Sequence, residues 1–287
     1  MTPGTPFLLG MMRLHEHADL ARPEPLGDWI QARLNDGLPW FDHADIYGNG
    51  AGETLFGDAL RRRPYLARQV RIVTKAGIVP PQRDTQAPGV KHYNTAPGYL
   101  AAAIDSALER LGVEHIDHFL IHRPDPLMNA EATGRALDDA IAVGKIGSAG
   151  VSNFGPEQWR RLQGGMTNRL DCHQLQLSLS HTAPLFDGDY DALLADGLRP
   201  MAWSPLSGGT ALEGSQGANL RHLARERGTS PAGLALAWLR TLPGAPRPVI
   251  GTLRPERIAA LLDATEHPLE RTTWYALLER TRGTEVP

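Results

Sequence analysis

"WFDHADIYGNGAGETLFGDALRRRPYLARQVRIVTK", residues 40–75, decides the fold. It opens on an apolar run of strand length, Trp40 to Ala44, and closes on a second, Val70 to Thr74. Between them a glycine-rich turn leads into an amphipathic stretch at 53–62. Strand, helix and strand in that order make one β-α-β unit with buried, parallel strands.

The same alternation runs the length of the chain. Further strands are expected at Phe7 to Gly10, Ile116 to Ile121, Ser148 to Val151, His173 to Leu177, Arg199 to Ala202 and Pro248 to Ile250. Helical spacing recurs at 26–37, 130–143, 156–163, 189–196, 219–227, 231–241 and 255–264. The clearest helix starts at Thr95 or Pro97, repeats Tyr99, Ala103, Ala107, Leu108 and Leu111, and stops at Gly112. Eight strands at a repeat of roughly 30 residues predict an α/β fold, the (β/α)8 TIM barrel, as a single domain over 1–287. A doubly wound open sheet is the alternative, but it calls for a GxGxxG turn after its first strand. "GNGAG" at 48–52 lacks that spacing and reads as a turn. Residues 79–97 read as one long β-α loop.

Composition narrows the function. The 287 residues carry a net charge of -3 with both signs interspersed, so no basic stripe invites nucleic acid or anionic lipid. Cys172 is the only cysteine, which excludes a disulfide framework and the paired thiolates of a structural zinc site. No apolar segment approaches membrane-spanning length, and no basic region precedes the N-terminal apolar patch. A cytoplasmic protein is expected.

In such barrels the chemistry gathers at the C-terminal ends of the strands. The second strand ends in Asp42-His43-Ala44-Asp45 and runs into Tyr47, the third ends at Lys75, the fourth at His122, and the fifth in Ser152 and Asn153. Taken singly, each has a plain structural use: a solvated lysine, a loop histidine, a loop-capping aspartate, a half-buried tyrosine. Taken together they make a proton-transfer site. A buried lysine beside a tyrosine favours phenolate, and a carboxylate holds that lysine charged. Unit charges about 4 Å apart at an effective dielectric near 20 interact by roughly 4 kcal/mol, enough to draw the tyrosine from about 10 toward neutrality. Proton delivery to a carbonyl oxygen is the reaction this suits, with a cofactor supplying hydride.

With these residues assembled, the chain resembles the aldo-keto reductase superfamily over nearly its whole length. The family pattern F-D-T-A-x-x-Y-G is matched by Phe41-Asp42-His43-Ala44-Asp45-Ile46-Tyr47-Gly48, with His43 in place of Thr. "GKIGSAGVSNF" at 144–154, "AWSPLSGG" at 202–209 and "IGTLRPERI" at 250–258 resemble three further family segments. The resemblance implies a barrel that uses NADPH/NADP+ to reduce aldehyde or ketone carbonyls. Tyr47 would be the general acid, Lys75 its partner, Asp42 the carboxylate orienting Lys75, and His122 the group orienting the carbonyl. Ser152, Asn153 and Gln174 would hold the nicotinamide carboxamide and Trp203 would stack on its ring. Ser204, Pro205, Leu206 and Gly208 would follow the pyrophosphate, and Ile250, Gly251, Thr252 and Arg257 the 2′-phosphate, with Gly10, Met11 and Asp42 completing the cofactor contacts.

Departures bear on specificity. Gly251 stands where many members carry lysine, and Arg254 offers a forked guanidinium nearby. Ala260 and Leu261 replace polar residues often used near adenine, and His173 and Gln176 flank Gln174 where Asn and Glu are common. The sequence ends at "GTEVP" without the family's long pocket-closing tail, so an open pocket, broad specificity and high KM are expected. Met12, His43, Arg123 and Met128 are the pocket candidates. Arg123 either meets an anionic substrate or pairs with Asp125, and the pair is favoured. The expected partner is a small carbonyl compound bound by a monomer, with no nucleic acid, membrane or metal. Two rival readings stand: a metal-dependent barrel hydrolase built on Asp42, His43, Asp45 and His122, and a barrel that binds NADPH as a sensor or subunit with little turnover.

Overall fold

A computed structural model describes residues 5–81, 89–264 and 269–285. Its barrel strands are β1 (Leu8–Gly10), β2 (Trp40–Asp42), β3 (Arg71–Ala76), β6 (Ile116–Ile121), β7 (Ile146–Ser152), β8 (Cys172–Gln176), β9 (Arg199–Trp203) and β10 (Arg247–Ile250). They close in the order β1-β10-β9-β8-β7-β6-β3-β2, and β2, β3, β6 and β7 pair in parallel, as do β9, β10 and β1. The expected (β/α)8 barrel is the observed fold. β4 (Ile78–Val79) and β5 (His92–Tyr93) form a separate antiparallel hairpin inside the stretch expected to be one long loop. Residues 82–88 of that stretch lie outside the described residues.

Register is what positions the chemistry. Asp42 lies opposite Val73, and Lys75 opposite Leu120. Side chains two residues apart share a face of a sheet, so Asp42, Lys75 and, one step past β6, His122 all project from the same face of neighbouring strands. The ladder outlasts β2: His43 N donates to Val73 O at 2.7 Å and Asp45 N to Lys75 O at 2.9 Å.

Residues 10–173 form one compact unit, in which α1 (Pro23–Asn35), α2 (Ala51–Arg62), α3 (Pro64–Ala67), α4 (Pro97–Leu111), α5 (Ala130–Ala142) and α6 (Pro156–Gln163) connect the strands. α1 takes Pro23 at its first position and buries Leu26, Trp29, Ile30 and Arg33, one helical stripe. Each such apolar side chain stabilises the fold by roughly 1.5–3 kcal/mol. α4 buries Leu100, Ile104, Ala107 and Leu111 and ends at Gly112, whose φ of 64° needs a glycine. α2 and α4 approach so closely that a Cβ at Gly57 would lie 2.0 Å from Arg110 O. Between them the buried Glu53 accepts from Arg110 Nε at 2.7 Å and Thr74 Oγ1 at 2.5 Å, which satisfies both its oxygens.

Residues 1–9 and 174–287 form the second unit, with α7 (Asp189–Ala195), α8 (Gly214–Glu226), α9 (Pro231–Arg240), α10 (Pro255–Ala264) and α11 (Arg271–Arg282). Ser230 caps α9 by accepting from Gly233 N at 3.0 Å, and every residue from Gly233 to Leu239 is buried. Trp238 and Trp274 stack at 4.8 Å, each indole donating to the other's carbonyl at 3.2 and 2.9 Å. α3 and α11 have no counterpart in the sequence reading: one is a single turn, and the other carries a weak apolar stripe. Among the described residues no helix is long and apolar enough to cross a membrane.

Candidate active site

Asp42 and Lys75 are almost wholly out of solvent, and Lys75 Nζ donates to Asp42 Oδ2 and to His43 O, both at 2.8 Å. Burial works against the ammonium, but Asp42 and Tyr47 more than offset it and push the Lys75 pKa up. The lysine is therefore held charged, as the sequence reading requires. A buried ion pair with its remaining hydrogen bonds filled is a way to fix geometry more than a source of stability.

Tyr47 begins a short turn, Tyr47–Gly50, in which Gly48 and Asn49 are left-handed. A Cβ on Gly48 would come 2.6 Å from the His15 ring, so the glycine lets the chain close there and aim the tyrosine. Lys75 Nζ sits 5.3 Å from the Tyr47 ring centroid, and the His122 ring meets Tyr47 edge-on at 6.1 Å. Burial raises the Tyr47 pKa above 10.0; Lys75 and, more weakly, Arg123 pull it down, and Asp42 adds to the rise. The expected drop toward neutrality is corrected here: desolvation outweighs the lysine, and Tyr47 keeps its proton at neutral pH. His122 donates its backbone N–H to Ala76 O at 2.8 Å, and its imidazole is held well below the usual histidine range by burial and then by Lys75, Arg123 and Lys91. It is a neutral hydrogen-bonding group. Lys91 and Tyr93, from the β5 region, act electrostatically on His122 and Arg123 respectively. The sequence reading passed over both, and "VKHY" at 90–93, a strand-like end to a long loop, was the available signal.

The pocket candidates divide. Met12 is 48% exposed and Met128 is buried. His43 is fully buried with its ring 4.7 Å from Phe56, and its pKa is lowered to about 3 by burial and then by Lys75, so it packs as a neutral core residue. Arg123 does not pair with Asp125 as favoured above. Asp125 accepts from Thr95 N (3.1 Å), Thr95 Oγ1 (2.9 Å) and Leu127 N (2.8 Å), and Arg123 Nη1 donates to His122 O at 2.7 Å. The hydrolase ligand set is also dispersed: Lys75 occupies Asp42, His43 faces Phe56, and Asp45 accepts from Tyr99 at 3.5 Å.

Within the same unit Gly10 and Met11 are buried, with Met11 N bound to Asp42 O at 2.9 Å. Ser152 closes β7, and Asn153 follows at φ 59°, donating Nδ2 to Ser152 Oγ at 2.7 Å. His173 accepts from Phe154 N at 3.1 Å and packs on Trp159, with burial lowering it to about 4. That explains a histidine there without giving it a ligand.

In the second unit Gln174 is buried in β8 with Nε2 3.8 Å from Met201 Sδ, and Trp203 ends β9 half-buried. The segment after it turns sharply: Ser204 and Ser207 have φ of 49° and 50°, and Gly208 and Gly209 are left-handed too, while Pro205 is buried and Leu206 half-buried. Ser207 Oγ meets Ser178 Oγ at 2.9 Å and Ser180 Oγ at 2.6 Å, a serine cluster that sequence reasoning missed and "SLS" at 178–180 alone does not announce. Ile250 is buried, Gly251 exposed and Thr252 half-buried, while Arg254 and Arg257 are exposed around the start of α10. Basic groups at a helix N-terminus make an anion-receptive end. A cavity of 230 Å³ lined by Arg199, Arg240 and Arg247 in this unit contains none of these residues.

A closed parallel barrel carrying an Asp–Lys ion pair with a protonated tyrosine and a neutral histidine beside it has the makings of a barrel oxidoreductase. The Aldo/keto reductase family model matches residues 6–279, and the chain belongs to that family. It is 40% identical to a 6-dehydroglucose reductase of Agrobacterium fabrum, over 98% of this chain and 95% of that protein. It is 35% identical to the oxidoreductase YdhF of Escherichia coli, over 98% and 95%. The thermostable aldo-keto reductase Tm1743, solved with the inhibitor epalrestat, superposes with a TM-score of 0.80 at 26% identity, covering 96% of this chain and 94% of that one.

Proposed function

We propose that this protein reduces aldehyde or ketone carbonyls with NADPH, taking the proton from Tyr47. The observation that carries the reading is the buried Lys75, kept charged by Asp42 and the His43 carbonyl beside a tyrosine that stays protonated. His122, neutral and facing Tyr47, hydrogen-bonds the carbonyl oxygen and orients it. As the oxygen gains charge, Tyr47 releases its proton to it, and the phenolate left behind is stabilised by Lys75.

Bound NADPH supplies the hydride. The donor set suits it: Ser152, Asn153 and Gln174 for a carboxamide, Trp203 for an aromatic face, the segment from Ser204 to Gly209, left-handed at Ser204, Ser207, Gly208 and Gly209, for a diphosphate, and exposed Arg254 and Arg257 beside Thr252 for a 2′-phosphate. A protein of the same fold from Klebsiella pneumoniae, 23% identical with a TM-score of 0.78, was solved with NADPH. Two relatives, from Agrobacterium fabrum and Novosphingobium aromaticivorans, are named 6-dehydroglucose reductases, which puts sugar aldehydes first among substrates to try. We read the protein as a cytoplasmic monomer acting on soluble small molecules.

The test follows NADPH oxidation against 6-dehydroglucose, simple aldehydes, ketones and dicarbonyls. Turnover is expected with at least one class. Tyr47→Phe is expected to lower kcat by about 10²–10⁴-fold with NADPH binding nearly intact. A Tyr47→Phe enzyme that kept most of its activity would remove the proton-donor assignment, and NADPH binding without hydride transfer to any substrate would favour the sensor reading.

A further inference from the structure

Residues 10–173 hold another grouping of ligand-type side chains, with no member in common with the Asp42–Lys75 cluster. His118 in β6, Cys172 at the start of β8 and Asp171 just before it each bring one donor atom within 4.8 Å of the other two. The sheet explains the meeting. His118 lies opposite Ser148 on β7, and Asp171 N donates to Ala149 O at 2.9 Å. Gly150 leaves the space the thiol fills, since a Cβ there would come 2.7 Å from Cys172 Sγ. The imidazole is fixed in orientation: it stacks on Trp40 at 5.0 Å with 13° between planes, and Nδ1 lies 2.5 Å from Ser148 Oγ.

We propose that His118, Asp171 and Cys172 form a binding site for a zinc-class divalent ion. Tetrahedral zinc with bonds of about 2.0–2.3 Å sets neighbouring ligand atoms roughly 3.3–3.8 Å apart. His118 Nδ1 and Asp171 Oδ2 already stand at 3.3 Å, and the three donor atoms lie within 4.8 Å of one another, so a small contraction brings them to bonding distance. Imidazole, carboxylate and thiolate together favour zinc or cobalt over magnesium or calcium, which take oxygen. The Asp171 side chain is 23% exposed and gives the ion a way in, while Cys172 is buried. Binding replaces the Cys172 thiol proton, released to solvent, with the metal–sulfur bond; no oxidation state changes. Ser148 Oγ, 2.5 Å from His118 Nδ1, is too close to share the ion with it, so the ion displaces that hydrogen bond and water fills the fourth position.

The experiment uses the full chain, stripped with a chelator and titrated with cobalt or zinc. One ion per chain is expected, with the thiolate-to-cobalt charge-transfer band in the near-ultraviolet. The band should vanish in Cys172→Ala, and Asp171→Asn and His118→Gln should weaken uptake by about ten-fold or more. Zinc should raise the melting temperature of the parent protein and not of Cys172→Ala. Circular dichroism checks that Cys172→Ala is folded; if it is not, Asp171→Asn, changed at a partly exposed position, decides alone. No retained ion, or equal uptake by parent and variants, overturns the site. None of these readouts uses NADPH, so the reductase reading stands or falls separately.

Discussion

From Asp42 to His122 the reactive groups are held by a dry network of side chains, whereas from Trp203 to Gly209 the backbone itself is bent into shape among hydroxyls. In the first region Lys75 is fully enclosed, and Glu53, Arg110 and Thr74 satisfy one another behind it. In the second, Ser204 and Ser207 sit in left-handed conformations that cost L-residues roughly 1–2 kcal/mol each, and the Ser178–Ser180–Ser207 contacts help to hold them. The difference fits the tasks proposed for them: a dry cluster sets protonation states, while a half-exposed, pre-bent backbone presents N–H groups to a ligand that arrives and leaves.

The largest effect should come from breaking the dry cluster. Lys75→Met leaves the Asp42 carboxylate buried without its cation, which costs about 3–5 kcal/mol of stability and removes the charge that supports Tyr47 in proton transfer. Denaturant melts and turnover should both show it. Adding Asp42→Asn should restore most of the stability and none of the activity. A single Lys75→Met as stable as the parent would mean that Asp42 is not desolvated as the structure has it.

Somewhat smaller is the dependence on pH. His43 and His173, lowered to about 3 and about 4 by burial, take up protons more readily unfolded than folded. Their stabilising contribution is complete above about pH 6.5 and is lost as pH falls toward those folded values, roughly 3 kcal/mol for His173. Melting temperatures measured from pH 7 to 4 should fall more steeply for the parent than for His173→Gln, which keeps an acceptor for Phe154 N. Parallel curves would show that His173 titrates normally.

How far the sequence could be read differs between the two regions in the same way. Strand periodicity, with the resemblance to aldo-keto reductases, located Asp42, Lys75 and His122, and parallel register then aligned them. The direction of the Tyr47 shift was not legible, because it depends on how much solvent the surrounding helices exclude. Nor was the Asp125 partnership: Leu127 N is a local contact two residues along, but Thr95, which takes the other carboxylate oxygen, is brought there by tertiary structure. The serine cluster was hidden because Ser178 and Ser207 lie far apart in the chain. The hairpin of β4 and β5 was missed because two-residue strands carry almost no periodic signal.

The smallest effect belongs to the exposed basic end of α10, where charge acts through water. Arg257 and Arg254 are both exposed, and Gly251 leaves the position that carries lysine in many family members without a side chain. If a 2′-phosphate is held there, Arg257→Ala should weaken NADPH by about ten-fold and leave NADH nearly unchanged, because NADH has no phosphate at that position. The loss should shrink at high salt, since screening reaches exposed charges within a Debye length of about 10 Å at 0.1 M. Fluorescence titrations of both nucleotides at low and high salt measure this, and the stability of the variant should be unchanged. Equal losses for NADPH and NADH would move Arg257 from phosphate recognition to a general role in shaping the loop. A salt-independent loss confined to NADPH would instead point to a contact more enclosed than the exposed Arg257 offers.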